Sequence, residues 1–263
     1  KKNSRIWRNF IMCRVIVIGN QKGGVGKTTT TSNLGIGLAK QGKRVLLIDL
    51  DSQASLTISA GLEPFEYEKT IVTVLKKEGT PITKCIQTLQ ENLDICTSRL
   101  ELAQLEVEMI GRSMRETILK RSLQSIKDTY DFILIDCPPQ LSILTINALA
   151  CCNYVIVPVK TDYLAYRGVE LLMDSIADAK ALINPDLSVL GLIATMYEKR
   201  VKDDNEILQA LKEKYNVIGV VKKMAIVKRG VYDGQSVAQQ DPNNDVALEY
   251  NKVSDYILTK GEQ

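Results

Sequence analysis

Short runs of β-branched and aliphatic residues recur along the chain, and segments with a helical spacing of apolar residues lie between them. The runs with the length and composition of buried strands lie at 13–19, 43–50, 93–96, 131–136, 153–158, 187–196 and 217–221. The clearest helical segments lie at 28–41, 169–182, 204–214 and 245–258. This alternation predicts right-handed βαβ units. We therefore expect an α/β fold with a doubly wound, mostly parallel β-sheet flanked by helices on both faces.

The segment between residues 60 and 130 has a weaker pattern. We predict a helix near 70–77, with further helices across 100–110 and 115–127. The last of these carries charges of both signs, which is typical of a solvated face.

A glycine-rich loop follows the first predicted strand and precedes the first predicted helix. Its end, Gly26-Lys27-Thr28, matches the P-loop pattern, in which backbone N–H groups and a lysine hold phosphates and a hydroxyl holds Mg²⁺. The first glycine of that pattern is replaced by Gln21, and an additional lysine, Lys22, precedes the glycine pair. The residues that we expect to bind the nucleotide are Gly23, Gly24, Val25, Gly26, Lys27, Thr28 and Thr29.

Carboxylates follow two of the other predicted strands. Asp49 and Asp51 end the strand at 43–50, and Asp136 ends the strand at 131–136. Ligands bind at the carboxyl ends of strands in open parallel sheets, so these acids belong near the glycine loop. Asp136 stands where an acid is needed to organise the shell around Mg²⁺. A simpler interpretation of Asp49 and Asp51 is that they cap a loop.

Composition narrows the chemistry. The chain has 263 residues and a net charge of only +3, so any argument for nucleic-acid binding must come from local clustering of charge. There is no histidine, which excludes Ser-His and Cys-His nucleophilic catalysis. The six cysteines lack the C-x-x-C spacing of zinc and redox sites and are expected to be small core residues in a reducing cytoplasm.

We expect one domain. We expect residues 1–11 to be a basic, peripheral leader and residues 12–263 to form a single P-loop ATPase domain. No apolar run approaches the length of a membrane span.

Three stretches together resemble the ParA/Soj family of DNA-partitioning ATPases, which carry a deviant Walker A motif. They are K-G-G-V-G-K-T-T-T, L-I-D-L-D-S-Q-A-S and F-I-L-I-D-C-P-P, and the later V-I-V-P-V and A-T-M-Y-E-K-R fit the same family. The likeness runs from about Met12 to the C-terminus. It implies a P-loop NTPase fold of the deviant Walker A type, ATP/ADP and Mg²⁺ as ligands, and a weak intrinsic ATPase activity.

The resemblance also assigns roles within the loop. Lys22 resembles the signature lysine that enters the partner subunit's nucleotide site in an ATP sandwich dimer, which accounts for the additional lysine. Lys27 would contact the β/γ-phosphates, Thr28 the Mg²⁺, and Thr29 the α-phosphate region.

Two acids complete the implied site. Asp51 resembles the aspartate that positions the attacking water, and it would also lie in the second shell of the metal. Asp136 resembles the second-shell Mg²⁺ ligand. Lys22, Lys27 and Asp51 are therefore the expected catalytic residues. The family commonly has D-P-Q where this chain has Asp51-Ser52-Gln53, a change that leaves the acid in place.

Members of this family segregate plasmids, chromosomes or mobile elements. By resemblance we expect an ATP-dependent homodimer that binds nonspecific DNA, is stimulated by a ParB-like centromere-binding protein, and is cytoplasmic and nucleoid-associated. Basic residues cluster between 197 and 230, as nonspecific DNA binding requires. The candidates for DNA contact are Lys199, Arg200, Lys222, Lys223, Lys228 and Arg229.

The segment 221–226 lacks the proline and arginines of the I-P-R-N-x-R run that is common in the family.

A MinD-like, membrane-associated positioning ATPase is the alternative function, and it needs a C-terminal amphipathic helix with a basic face. The last helical segment instead has a polar face with both signs of charge, so we expect no membrane partner. An iron-protein type reductase would need Cys96 and Cys137 in glycine-rich contexts, which they lack.

Overall fold

A single eight-stranded sheet organises the chain in a computed structural model that describes residues 13–260. The predicted leader, 1–11, lies outside the described residues. The strands are β1 (Arg14–Ile18), β2 (Val45–Asp49), β3 (Ile86–Gln90), β4 (Leu93–Cys96), β5 (Phe132–Asp136), β6 (Tyr154–Lys160), β7 (Ser188–Tyr197) and β8 (Val217–Lys222). Their order across the sheet is β3-β4-β2-β5-β1-β6-β7-β8.

All neighbouring strands run parallel except β3, which pairs antiparallel with β4 at one edge. Parallel strands are covered on both faces, which explains why β2 and β5 are buried along their whole length. The predicted doubly wound, mostly parallel α/β fold is confirmed.

Eleven helices cover the described sheet. They are α1 (Lys27–Lys40), α2 (Ser55–Ser59), α3 (Ile71–Leu75), α4 (Leu102–Met109), α5 (Ile118–Leu123), α6 (Ile143–Cys151), α7 (Tyr163–Leu182), α8 (Lys202–Lys214), α9 (Ala225–Asp233), α10 (Val237–Gln240) and α11 (Asp245–Thr259). Short 3₁₀ turns occur at Pro64–Glu66, Ile82–Lys84, Arg115–Thr117 and Gln124–Ile126. None of the helices within 13–260 is both long and apolar enough to cross a bilayer.

Alternation along each strand divides the interior into two layers. Ile16 and Ile18 pack with α1, α2, α10 and α11 on one face of the sheet, whereas Val15 and Val17 pack with α3 to α8 on the other. Tyr250 of α11 is buried in the first layer, and its hydroxyl hydrogen-bonds Thr30 of α1 at 3.0 Å. α11 is therefore part of the core.

Three central strands end side by side. β1 lies between β5 and β6, β2 lies beside β5, and the register places Ile18 opposite Asp136 and Asp136 opposite Asp49. Because parallel strands end at the same edge, the loops after β1, β2 and β5 converge. This edge carries the candidate site.

Some elements differ from the sequence-based expectation. α7 begins at Tyr163 rather than near 169, since Asp162 caps it by accepting a hydrogen bond from the Ala165 N–H at 2.7 Å. The helix predicted across 115–127 is a short α-helix between two 3₁₀ turns. The sequence analysis also missed β3, α2, α6, α9 and α10.

Candidate active site

The loop between β1 and α1 is shaped for close approach by a ligand. Gly24 and Gly26 have φ values of +70° and +89°, a left-handed backbone that favours glycine. A Cβ atom at Gly23 or Gly24 would meet no atom within 4 Å, so the loop faces open space. No side chain of the described residues caps α1, which leaves the first N–H groups of the helix free to donate. Such an arrangement suits phosphate oxygens.

Two hydrogen bonds between residues far apart in sequence hold this loop in place. Asn20 donates to the carbonyl of Pro158 at 2.7 Å and accepts from the Lys22 N–H at 2.9 Å. Thr195 of β7 donates its hydroxyl proton to the carbonyl of Val25 at 2.9 Å. The loop is thus tied to β6 and β7 at both of its ends. Sequence reasoning missed both contacts, because the partners lie far apart along the chain.

Lys27 lies beneath the loop and is buried. Its ammonium donates to the carbonyl of Lys22 at 3.2 Å. Burial lowers the pKa of Lys27, while the nearby charges of Asp136 and Asp51 act in the opposite direction. The Lys27 amino group therefore lies on the inner side of the loop, where phosphate oxygens would lie.

Thr28 and Asp136 are in direct contact, as the predicted metal site requires. The Thr28 hydroxyl donates to Asp136 at 2.6 Å, and the Thr31 hydroxyl lies 3.4 Å from the other carboxylate oxygen. Asp136 is only 1% exposed. Burial raises the pKa of Asp136 to about 8, with the charge of Asp49 adding to the effect and Thr28 and Lys27 opposing it. A cation at this position would favour the ionised carboxylate.

Asp49 and Asp51 have different surroundings. Asp49 is fully buried and accepts hydrogen bonds from the N–H (2.8 Å) and hydroxyl (2.7 Å) of Thr57 and from the Asp51 N–H (3.2 Å). Burial raises the pKa of Asp49 to about 6, against the effect of these hydrogen bonds. Asp51 is half-buried and accepts from the Gln53 N–H at 3.0 Å. Asp49 is thus an anchor for the loop, whereas the Asp51 carboxylate is accessible.

Thr57 was also missed by sequence reasoning. Its hydroxyl accepts from the Ser98 N–H at 3.0 Å while it donates to Asp49. The residue therefore connects α2, the end of β4 and the end of β2. Thr57 carries no sequence signal for this role, because a threonine in a short helix usually serves only a local function.

Lys22 lies at the rim of the loop and is engaged within its own chain. Its ammonium pairs with Asp162 at 2.8 Å, and Lys160 approaches the other oxygen of Asp162 at 3.1 Å. Burial acts to raise the pKa of Asp162, but hydrogen bonds from Lys22, the Ala165 N–H and Lys160 outweigh it and lower the pKa to about 2. Asp162 is a member of the site that the sequence analysis did not identify.

Thr28 and Thr29 face a small cavity of about 20 Å³ between the start of α1 and helix α9.

No group of three or more His, Cys, Asp or Glu residues suitable for a metal occurs within 13–260. Mg²⁺ commonly keeps waters and takes only one or two protein ligands together with substrate phosphates, so the Thr28–Asp136 pair fits it.

The six basic candidates all lie at the surface, in two groups. Lys223 donates its backbone N–H to the Tyr197 carbonyl at 3.1 Å, which brings the ends of β7 and β8 together. Lys199, Arg200, Lys222 and Lys223 are therefore neighbours, whereas Lys228 and Arg229 lie on α9.

Half of these candidates have acidic partners. The paired residues are Lys222 with Asp245 (2.6 Å), Lys223 with Glu198 (2.6 Å) and Arg229 with Asp233 (3.3 Å). Lys199, Arg200 and Lys228 form no ion pair with any other described residue. Two of the three candidates without an ion pair, Lys199 and Arg200, therefore lie at the turn after β7.

Comparison with known proteins places this geometry among nucleotide-binding proteins. The model of the AAA domain family matches residues 13–189. The sporulation initiation inhibitor protein Soj of Bacillus subtilis is 34% identical over 253 residues, which cover 95% of this chain and 100% of Soj.

Two solved structures are similar over nearly the whole chain. Cobyrinic acid a,c-diamide synthase from Mycobacterium smegmatis with bound ADP and magnesium has a TM-score of 0.84 at 31% identity, covering 96% of this chain and 96% of that one. A putative plasmid partition protein from Borrelia burgdorferi bound to AMPPNP has a TM-score of 0.80 at 29% identity, covering 94% of this chain and 99% of that one.

Proposed function

Because the chain belongs to the ParA/Soj family of P-loop ATPases and is a partition-type ATPase, we propose that it segregates plasmid, chromosomal or mobile-element DNA by an ATP-driven dimerisation cycle. It binds ATP with Mg²⁺, forms a sandwich dimer around two nucleotides, and then binds DNA without sequence preference. A ParB-like centromere-binding protein stimulates hydrolysis. The observation that carries the proposal is the placement of two lysines on one loop, with Lys27 buried beneath it and Lys22 at its rim.

In the proposed complex the protein holds the triphosphate through the loop backbone and Lys27. The left-handed glycines expose N–H groups, and the Lys27 ammonium exchanges its bond to the Lys22 carbonyl for phosphate oxygens. The similar structures that contain ADP with magnesium or AMPPNP support this assignment. Phosphoryl transfer needs positioning and neutralisation of charge more than covalent catalysis, and these groups supply both.

Thr28 is the proposed protein ligand of Mg²⁺. Its hydroxyl proton is held by Asp136, so an oxygen lone pair remains available for the metal. Asp136 thereby orients Thr28 without binding the metal itself. When bound with ATP, Mg²⁺ neutralises the charge that develops on the phosphate oxygens.

Asp51 is the proposed residue that orients the attacking water. Its carboxylate is half-buried at the end of β2, while the anchor Asp49 fixes the start of the same loop through the Asp51 N–H. A carboxylate that is accessible but held by its own loop suits the positioning of a water molecule.

Lys22 makes catalysis dependent on assembly in this proposal. To reach the nucleotide of the partner subunit, it must leave Asp162. A loop that supplies one lysine to its own site and one to the partner's site links dimerisation to hydrolysis, because neither site is complete alone.

DNA binding is proposed for the turn after β7 and the neighbouring end of β8. Lys199 and Arg200 are exposed there without acidic partners among the described residues. A membrane-directed, MinD-like function is not supported by α11, because the apolar face of that helix is buried in the core through Tyr250, Val253 and Ile257.

The proposal is tested by measuring the oligomeric state and the ATP turnover of the purified protein. We expect a monomer with ADP, a dimer with ATP and Mg²⁺, and faster turnover when duplex DNA of random sequence is added. A protein that stays monomeric with ATP, with turnover insensitive to DNA, would contradict the proposed cycle. A rise in turnover on adding liposomes instead of DNA would support the MinD-like alternative.

A further inference from the structure

A second cavity lies away from the glycine loop. It has a volume of about 710 Å³ and lies between the C-terminal end of α3, the turn after α4, and helix α5. All of its lining residues fall between 74 and 125, so it shares none with the loop at 19–28. Sites for small organic molecules usually have volumes of roughly 300–1,000 Å³. The cavity therefore has room for a ligand much larger than a single ion.

The charged residues that line this cavity are all basic. Lys76 and Lys77 follow α3, Arg112 lies in the turn after α4, and Arg121 lies on α5. No aspartate or glutamate is among the lining residues. Four cations from three separate segments thus surround one concavity, although the chain as a whole has a net charge of only +3.

Three of the four cations have no acidic partner within the part of the chain that the structure describes. Lys76 and Lys77 form no ion pair there, and Arg121 donates only to the Thr117 hydroxyl, at 2.8 Å. Their N–H donors remain available to a ligand. A flat solvated face would also tolerate such charges, but these three exposed side chains border one open concavity.

Arg112 is fixed in place. It donates to the Leu75 carbonyl at 2.9 Å, and its second terminal nitrogen lies 3.6 Å from Glu108. The side chain is 19% exposed. An oriented guanidinium is well suited to bidentate binding of a phosphate group.

The floor of the cavity is formed by three apolar side chains, and the neutral polar residues Thr80, Ser113, Ser122 and Ser125 also line it. Val74 and Ile82 are buried and Ile118 is partly buried, and all three contribute to the lining. The wall between Val74 and Ile82 depends on Gly79, where a Cβ atom would lie 2.3 Å from the Val74 carbonyl oxygen. The loop therefore packs tightly against the end of α3, and the four basic residues share the cavity with this apolar floor.

We propose that this cavity binds an organic phosphate, a small molecule that carries at least two negative charges and an apolar or aromatic part. The rim formed by Lys76, Lys77, Arg112 and Arg121 binds the phosphate oxygens, and the floor packs against the organic part. A bare anion would leave the floor exposed to water. A nucleic-acid backbone would need cations spread along an open surface rather than gathered around a concavity.

Calorimetric titration of the full chain tests this proposal. ADP and Mg²⁺ are kept in saturating excess, so that the glycine loop is occupied, and the probes are phenyl phosphate, inorganic phosphate and inorganic pyrophosphate. We expect phenyl phosphate to bind about tenfold more tightly than inorganic phosphate because its ring covers the apolar floor. Pyrophosphate affinity should fall about tenfold in Lys76→Gln/Lys77→Gln, since charge-assisted hydrogen bonds are lost.

Lys180→Gln/Lys212→Gln is the matched control. Both of these lysines are exposed, form no ion pair with other described residues, and lie outside the cavity, and their loss changes the net charge equally. Unchanged circular dichroism and melting temperature establish that both variants fold.

Three results would overturn the proposal. The first is no binding of any probe to the unaltered protein, and the second is an equal loss of affinity in the two double variants. The third is displacement of pyrophosphate by random duplex DNA together with loss of DNA binding in Lys76→Gln/Lys77→Gln, which would assign the cavity to nucleic acid.

Discussion

The ammonium of Lys22 lies 2.8 Å from the carboxylate of Asp162, so the lysine at the rim of the glycine loop is bound to the cap of α7 in its own chain. The side chains are 38% and 29% exposed, and ion pairs of that kind stabilise a structure by at most about 1 kcal/mol. The contact is therefore easy to break. The ion pair keeps Lys22 within its own chain but does not prevent the side chain from binding in another site.

Replacing Asp162 should favour assembly. In Asp162→Asn the amide oxygen still caps α7, but the charge that retains Lys22 is lost. We expect ATP-dependent dimerisation to tighten by up to about fivefold, the factor that corresponds to an exposed ion pair. Analytical ultracentrifugation over a range of concentrations measures this, with Asp178→Asn on the exposed face of α7 as control. Weaker dimerisation in Asp162→Asn would show that the pair assists assembly instead.

Substitutions of Lys22 and Lys27 should block different steps of the proposed cycle. Lys22→Ala is expected to bind ATP nearly normally, because Lys27 and the loop backbone remain, yet to lose ATP-dependent dimerisation and hydrolysis. Lys27→Ala should lose about 1.5–3 kcal/mol of nucleotide binding, as expected for a hydrogen bond to a charged group. A fluorescent ATP analogue and size-exclusion chromatography separate the two effects. Retained turnover in Lys22→Ala would remove that lysine from the mechanism.

Substitution of Asp49 should reduce stability, whereas substitution of Asp51 should reduce catalysis. Asp49→Ala leaves the Thr57 donors buried without an acceptor, which should cost about 1–3 kcal/mol per unsatisfied group and lower the melting temperature by several degrees. Asp51→Ala should melt nearly as the unaltered protein does but lose hydrolysis while still binding ATP. Thermal melting and single-turnover hydrolysis test the contrast, and the reverse pattern would exchange the roles of the two acids.

The raised pKa of Asp136 predicts a particular dependence of stability on pH. The folded protein holds this proton up to about pH 8, whereas the unfolded chain releases it near pH 4. The folded state therefore binds more protons between these values, and this carboxyl group reduces the free energy of unfolding as pH rises, by up to about 1.4 kcal/mol per pH unit.

Asp136→Asn keeps an acceptor for Thr28 and cannot titrate. The melting temperature of the nucleotide-free unaltered protein, minus that of Asp136→Asn, should decrease from pH 5 to pH 8 and level off above it. Leu141→Asn, on an exposed position of the following loop, controls for adding an amide. A difference that is constant or rises with pH would mean that Asp136 is ionised throughout this range.

DNA binding should depend most on the uncompensated cations after β7. Lys199→Gln/Arg200→Gln is expected to reduce the slope of log affinity against log salt by about 2, roughly 0.9 for each phosphate contact. Lys222→Gln/Lys223→Gln should reduce it less, since both lysines have acidic partners. Fluorescence anisotropy with random duplex DNA and ATP measures the slopes, and Lys180→Gln/Lys212→Gln is the control. Equal slopes in all variants would mean that DNA binds to a different surface of the protein.

The central part of the site could be predicted from the sequence because its elements are continuous along the chain. β1, the glycine loop and α1 occupy one stretch, and Asp136 directly follows an apolar run. Asp162 and Thr195 could not be found in this way, since each contacts the loop across more than 130 residues of sequence. α2 has only five residues and α9 only nine, which is too short for a helical period to stand out in the sequence, and β3 is an edge strand of mixed polarity.

The hydrogen bonds of Asn20 and Thr195 to the glycine loop have an entropic consequence. Because the protein's own strands fix the shape of the loop, little backbone freedom remains to be lost when a ligand arrives. The loop is preorganised, so little of the binding free energy of the phosphates is needed to order it. More of that free energy is available to drive another conformational change. In the proposed cycle that change is the release of Lys22 from Asp162. Because the loop is rigid and the ion pair is weak, the conformational response to ATP is confined to a single side chain.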